Sequence, residues 1–180
     1  MSTDILRAAS FAAEKHRDQT RKDAHRSPYI NHPLEVASYL ADVGAVTDEA
    51  VLIAALLHDT IEDTDTTAEE IRAEFGPRVA DLVLACSDDK ALPKAERKRL
   101  QIAKARDTCD DAKLVKIADK VCNLRDILGS PPLGWSIERR LAYFEWSHEV
   151  LSRMTGVNPA MDRDANDVLI EGTAVLSAEQ

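Results

Sequence analysis

The segment Leu56-Leu57-His58-Asp59-Thr60-Ile61-Glu62-Asp63 puts one imidazole and three carboxylates directly after an uninterrupted apolar run, Ala50 to Leu57. On a helix His58 faces Glu62 and Asp59 faces Asp63, each pair about one turn apart. Four ionisable groups at the mouth of a buried helix are costly unless a cation compensates them. Two further residues have the same character. His32 stands in Tyr29-Ile30-Asn31-His32-Pro33, and Asp119 interrupts the apolar stripe of Leu114, Val115, Ala118, Val121 and Cys122. A carboxylate in such a stripe needs a partner or a metal. Two histidines and two aspartates make a mixed nitrogen and oxygen set suited to Mn²⁺, Fe²⁺ or Zn²⁺, with positions left for water. A metal held this way lowers the pKa of its water and supplies hydroxide near neutral pH, which is hydrolytic chemistry.

The elements that must position these residues are helical. The 3.6-residue period dominates and no β-branched run of period two occurs, so the expected fold is all-α, a single helical bundle. Ile5 to Arg17 gathers Ile5, Ala8, Ala9, Ala12 and Ala13 on one face. Pro33 suits a first helical position ahead of Leu34, Val36, Ala37 and Leu40. Thr47 is expected to cap the helix of the apolar run, with Asp48 and Glu49 in its first turn. Thr66 and Thr67 offer overlapping capping boxes with Glu69 and Glu70, and Gly76-Pro77 closes that helix. Helical patterns then cover about 78–86, 94–105, 111–127 and 136–154, with GSPPLG (129–134) as the clearest connector. Residues 1–155 are expected to form one domain, followed by a polar, acid-rich tail at 156–180 with at most a short helix, either part of that domain or appended to it.

A chain of 180 residues, 44% hydrophobic and 31% charged, is long enough for one good core. Its longest apolar run is far shorter than the roughly twenty residues a membrane-spanning helix needs. No signal-peptide layout opens the sequence. Cys86, Cys109 and Cys122 lie far apart without a CxxC pair, so they read as small buried fillers in a reducing cytoplasm. The net charge is −9, but its distribution is uneven. Residues 15–26 carry a local +3 and residues 90–106 a local +6. Two basic segments on an acidic protein suit a small polyanion, whereas a long nucleic acid would meet repulsion from the remaining surface. His16, His25 and His148 lack partners at ligand spacing and read as solvated, and Trp135 and Trp146 read as core.

Three longer stretches accompany the spread pattern His32…His58-Asp59…Asp119. They are Arg21-Lys22-Asp23 before PYINHP (28–33), ALLHDTIEDTDTT (55–67) and KLVKIADKVCNLRD (113–126). The pattern resembles the HD superfamily of metal-dependent phosphohydrolases. The longer stretches are similar to the hydrolase domain of the Rel/SpoT alarmone enzymes, above all to free-standing small alarmone hydrolases of the metazoan SpoT homologue type. The resemblance implies an all-helical HD-domain bundle that binds one Mn²⁺ and removes pyrophosphate from the 3′ position of guanosine tetra- or pentaphosphate. It implies His32, His58, Asp59 and Asp119 as metal ligands, a set other divalent transition metals also fit. Glu62 and Asp63 match the pair that positions the attacking water and handles its proton. Asn123 matches a nucleoside contact, Arg21 and Lys22 a loop packed on the guanine, and Lys94, Arg139 and Tyr143 the lining of the phosphate and base pocket. The implied partner is a small nucleotide, with neither a nucleic-acid polymer nor a membrane. Two other readings stay open: NADPH dephosphorylation or another nucleotide hydrolysis at the same metal site, and a non-catalytic alarmone-binding module.

Overall fold

A computed structural model describes residues 3–179. In chain order its helices are α1 (Thr3–Lys15), α2 (Asn31–Asp42), α3 (Glu49–Leu57), α4 (Thr60–Asp63), α5 (Ala68–Phe75), α6 (Pro77–Cys86), α7 (Lys94–Lys104), α8 (Asp110–Gly129), α9 (Ile137–Leu151) and α10 (Pro159–Ala178). An isolated antiparallel bridge between Thr20 and Pro28 is the sole β feature among the described residues.

The apolar run becomes α3, with Val51 and Ile53 to Leu57 all buried. A helix apolar on every side has to be enclosed, and α1, α2, α6 and α8 enclose this one. Burying Leu56 and Leu57 contributes about 1.5–3 kcal/mol each. The long helix α8 also touches α2, α6, α9 and α10, so it runs through the molecule as a second axis. Its buried face includes Val115, Ala118, Val121, Cys122 and Leu124.

Local signals set most helix ends. Thr67 caps α5 by accepting from the Glu70 N–H at 3.2 Å, and Gly76, at φ +88°, closes it. The cap of α3 is Asp48, not Thr47: its carboxylate accepts from the Ala50 N–H at 2.9 Å. Asp48 is the last extended residue, and the cap must be the residue just outside the helical dihedrals. Pro33 is the third residue of α2, not the first. It needs no hydrogen-bond donor anywhere in a first turn, so proline alone does not set the register.

The larger departure is the C-terminus. The expected tail is a 20-residue helix, α10, packed on α8 and α9. Met161, Ala165, Val168, Leu169, Gly172 and Leu176 are buried at helical spacing among acids that mask the stripe in composition. Asn158 starts it, accepting from the Ala160 and Met161 N–H groups while its amide donates to the Gly44 carbonyl at 2.8 Å. Asp164 then accepts from the Tyr39 hydroxyl at 2.8 Å and from Arg125 at 2.7 Å, tying α10 to α2 and α8.

Gly172 meets Phe144 so closely that an added Cβ would lie 2.2 Å from the ring, which is itself 1% exposed. Gly172→Ala gains helix propensity of about 1 kcal/mol but overpacks a filled site. The expected net outcome is a loss of about 1–3 kcal/mol in urea or thermal unfolding. A stabilised variant would show that α10 is not packed against α9 in this way.

Candidate metal centre and binding cleft

Three helices deliver the cluster. His32 sits in the first turn of α2, His58 ends α3 and Asp59 precedes the single turn α4, while Asp119 projects from the middle of α8. His32 Nε2 lies 3.1 Å from Asp119 Oδ1, and His58 Nε2 lies 3.2 Å from Asp59 Oδ2 and 3.7 Å from Asp119 Oδ1. The histidines are 1% and 5% exposed, so their ring nitrogens must be satisfied within the fold. His58 Nδ1 is 2.7 Å from the Ala55 carbonyl, an acceptor that fixes the proton on Nδ1 and leaves the Nε2 lone pair free. That buried Nε2 makes no aligned hydrogen bond despite the two nearby carboxylates. An orphaned imidazole nitrogen between carboxylate oxygens, with a second imidazole 5.4 Å away by ring centroid, fits a divalent cation.

The electrostatics point the same way. Burial alone would lower the His58 pKa, but Asp59 and Asp119 outweigh it and raise it well above the usual value. Burial alone would raise Asp119, yet Lys120 and the two histidines hold it well below the carboxylate range. For Asp59, burial is outweighed by His58 and His32 in the same sense. Two carboxylates here demand positive charge between them. A second set, His32, Glu35 and Asp126, also brings ligand atoms within 4.8 Å of one another. There Arg21 already ion-pairs with Asp126, so the demand is met by the protein.

Tyr29 ties the cluster to the neighbouring carboxylates. Its hydroxyl donates to Asp59 Oδ2 at 2.5 Å and lies 3.3 Å from Asp63 Oδ2. Burial first, then Asp59, drive its pKa far above the usual phenol value, so the hydroxyl keeps its proton. Glu62 accepts from Arg97 and from the Asp88 N–H, both at 3.1 Å, and Asp63 accepts from Lys90. Burial, with Asp59, Asp88 and Asp63, raises the Glu62 pKa against the Asp88 N–H.

A cavity of about 730 Å³ opens beside His32, bounded by Arg21, Lys22, Tyr29, Asn123, Trp135 and Tyr143. An adjoining chamber of about 240 Å³ shares Arg21, Tyr29, His32, Lys94, Asn123 and Tyr143 with it and reaches Asp59, Glu62 and Asp119. The bridge at Thr20 and Pro28 shapes the loop that presents Arg21 and Lys22, and the Lys22 carbonyl accepts from the Leu133 N–H at 2.8 Å. Asn123 links the two regions, donating to Asp119 Oδ1 at 2.6 Å and accepting from Arg21 at 3.1 Å.

Of the residues expected to bind substrate, Arg21, Lys22, Lys94, Asn123 and Tyr143 line this cleft. Arg139 lies one layer out, over the Trp135 ring at 4.2 Å. Several sequence expectations need correction. His16 is not solvated: it is buried, stacked on Tyr29 with centroids 4.7 Å apart, its Nδ1 2.9 Å from Gln19 Oε1. Cys109 is exposed and Cys86 half-buried, and Cys122 is the buried filler. Trp135 and Trp146 pack on the core but also face the cleft. Tyr29, Lys98 and Lys120 were not singled out, although Tyr29 stands in PYINHP beside His32 and Lys98 inside the basic run.

An HD-domain family model matches residues 8–140. A guanosine-3′,5′-bis(diphosphate) 3′-pyrophosphohydrolase of Xenopus tropicalis is 51% identical over 179 residues, covering 97% of this chain and 100% of its own. The human protein of that name is 51% identical over 161 residues, 89% of this chain and 90% of its own. A solved structure of a metazoan SpoT orthologue, described as hydrolysing ppGpp, has a TM-score of 0.93 at 43% identity, covering 95% of this chain and 96% of its own.

His58→Ala is expected to abolish stoichiometric binding of a divalent transition metal, read by elemental analysis of the purified protein. Full occupancy would place the metal elsewhere. Tyr29→Phe keeps the ring on His16 and removes only the hydroxyl. Loss of such an orienting hydrogen bond typically weakens metal binding about 10–100-fold, and an unchanged affinity in metal titration would separate Tyr29 from the centre.

Proposed function

Since this chain belongs to the HD-domain family, of the small Rel/SpoT-like hydrolase type, we propose that it is a metal-dependent guanosine 3′,5′-bis(diphosphate) 3′-pyrophosphohydrolase. It converts the tetra- or pentaphosphate to GDP or GTP and pyrophosphate. The observation that carries this reading is the cleft itself. A chamber large enough for a nucleoside and lined with cations adjoins a smaller one that reaches the histidine–aspartate cluster. Relatives about half identical along nearly the whole chain bear the same activity in their names.

His32, His58, Asp59 and Asp119 are the proposed ligands of one ion, Mn²⁺ by the resemblance. When bound, it supplies positive charge to the phosphate under attack and lowers the pKa of water near it. The remaining work falls to the chain. Asn123 and Lys120 hold Asp119 by both oxygens, and Tyr29 holds Asp59, so the cluster is oriented before substrate arrives. Glu62 accepts two hydrogen bonds, which leaves lone pairs on its carboxylate for a water. Its raised pKa suits the proton carrier: it takes the proton of the attacking water. As water bonds to the phosphorus next to the ribose, the bond from that phosphorus to the 3′ oxygen breaks, and the oxygen leaves as a hydroxyl with a proton returned. Asp63, held by Lys90 and facing the larger chamber, orients the water or the ribose side of the substrate. Arg21 and Lys22 pack on the base, and Lys94, Tyr143 and the outlying Arg139 serve the phosphates. Residues 1–155 carry all these groups, with α10 buttressing α8 from behind.

The partner is a small nucleotide, and no helix among the described residues is long and apolar enough to cross a membrane. The decisive assay is turnover of guanosine tetraphosphate, NADPH and a deoxynucleoside triphosphate side by side in Mn²⁺. The expected result is pyrophosphate, not orthophosphate, from the first, abolished by chelation. Orthophosphate release from NADPH at a higher kcat/KM would replace this reading with a phosphatase. Glu62→Gln is expected to keep its metal and lose about 10²–10⁴ in kcat. A near-normal rate would move the proton transfer to another group.

A further inference from the structure

Lys98 is a cation of the cleft that has no role in the reading above. It stands on α7, with its ammonium 4.4 Å from the centroid of the Trp146 indole and 5.4 Å from that of Tyr143. The Trp146 indole N–H donates to the Lys98 backbone carbonyl at 3.2 Å. One ring therefore both supports the ammonium and fixes the helical turn that carries it. The Lys120 ammonium also lies on this indole, at 4.9 Å, but it donates to Asp119 Oδ2 at 2.9 Å. Arg97 is likewise committed, to Glu62 at 3.1 Å. Lys98 forms an ion pair with no carboxylate among the described residues.

Its position is specific. Lys98 lines the smaller chamber with Asp59, Glu62 and Asp119 and does not line the larger one, whereas Arg21 and Lys94 line both. Partial burial, then Lys94, Lys120 and Arg139, lower its pKa, an unfavourable field that an anion in the chamber would relieve. A nucleotide with a single 3′ phosphate satisfies the histidine–aspartate cluster alone. A 3′-diphosphate brings a second charged group into the same small space, and that group needs a donor of its own.

Resting on the 3′-pyrophosphohydrolase reading, we propose that Lys98, seated on the Trp146 indole, contacts the terminal phosphate of the 3′-diphosphate and makes the smaller chamber selective for diphosphate over monophosphate. The test is calorimetric titration of the Mn²⁺-loaded protein with inorganic pyrophosphate, orthophosphate and GDP, using wild type, Lys98→Gln and Lys98→Arg. In Lys98→Gln the Kd for pyrophosphate should rise about 10–100-fold, the usual consequence of losing a charge-assisted hydrogen bond. Orthophosphate and GDP should bind as before, and Lys98→Arg should restore most of the pyrophosphate affinity. Equal weakening of pyrophosphate and orthophosphate, an unchanged pyrophosphate Kd, or a wild type that does not prefer pyrophosphate would each overturn the proposal. A wild type that binds pyrophosphate through Lys98 yet does not cleave guanosine tetraphosphate would instead end the hydrolase reading and leave this subsite standing.

Discussion

Two buried imidazoles and two half-buried carboxylates where α2, α3 and α8 meet must share positive charge, and the surrounding fold is organised around that demand. The protein supplies part of it. Lys120 is buried against Asp119, and Asp59 and Asp119 favour a proton on His58 when no other cation is near. Buried pairs of this kind are weak sources of stability, because desolvation offsets most of the Coulomb gain. Their presence in the middle of an apolar bundle is therefore better explained by function than by folding. Stability comes instead from the apolar residues of α3 and the buried face of α8.

The cleft separates two kinds of cation. Lys90, Arg97 and Lys120 are occupied with Asp63, Glu62 and Asp119, so they hold those carboxylates in place. Lys22, Lys94 and Lys98 have no ion-pair partner among the described residues and line the two chambers. A protein of net charge −9 can thereby concentrate attraction for a small polyanion within one cleft while its remaining surface repels larger ones. Aromatic rings extend this arrangement, since Trp146 and Trp135 hold Lys98 and Arg139 without neutralising them.

Much of this was readable in the sequence, for identifiable reasons. His58 and Asp59 follow an apolar run so abruptly that the fold draws them inward, and Asp119 breaks a stripe whose other members are buried or, at Leu114, half-buried. Those signals are local and survive without tertiary information. Tyr29 carries no such signal, because its role depends on Asp59, 30 residues away. His16 looked solvated because its partners, Tyr29 and Gln19, come together only when the loop after α1 folds back. The helix α10 was missed for another reason. Its apolar stripe is diluted by Asp162, Asp164, Asp167 and Glu171, so composition reads as a tail while the spacing reads as a packed helix.

The most direct test of the histidine–aspartate cluster as the organising centre is a crystal structure of the Mn²⁺-loaded protein, with the ion located by its anomalous scattering. One ion is expected within coordination distance of His32, His58, Asp59 and Asp119, with Glu62 and Asp63 outside that distance and still held by Arg97 and Lys90. An ion bound instead by His32, Glu35 and Asp126, or one that takes Glu62 as a ligand in place of Asp119, would contradict it.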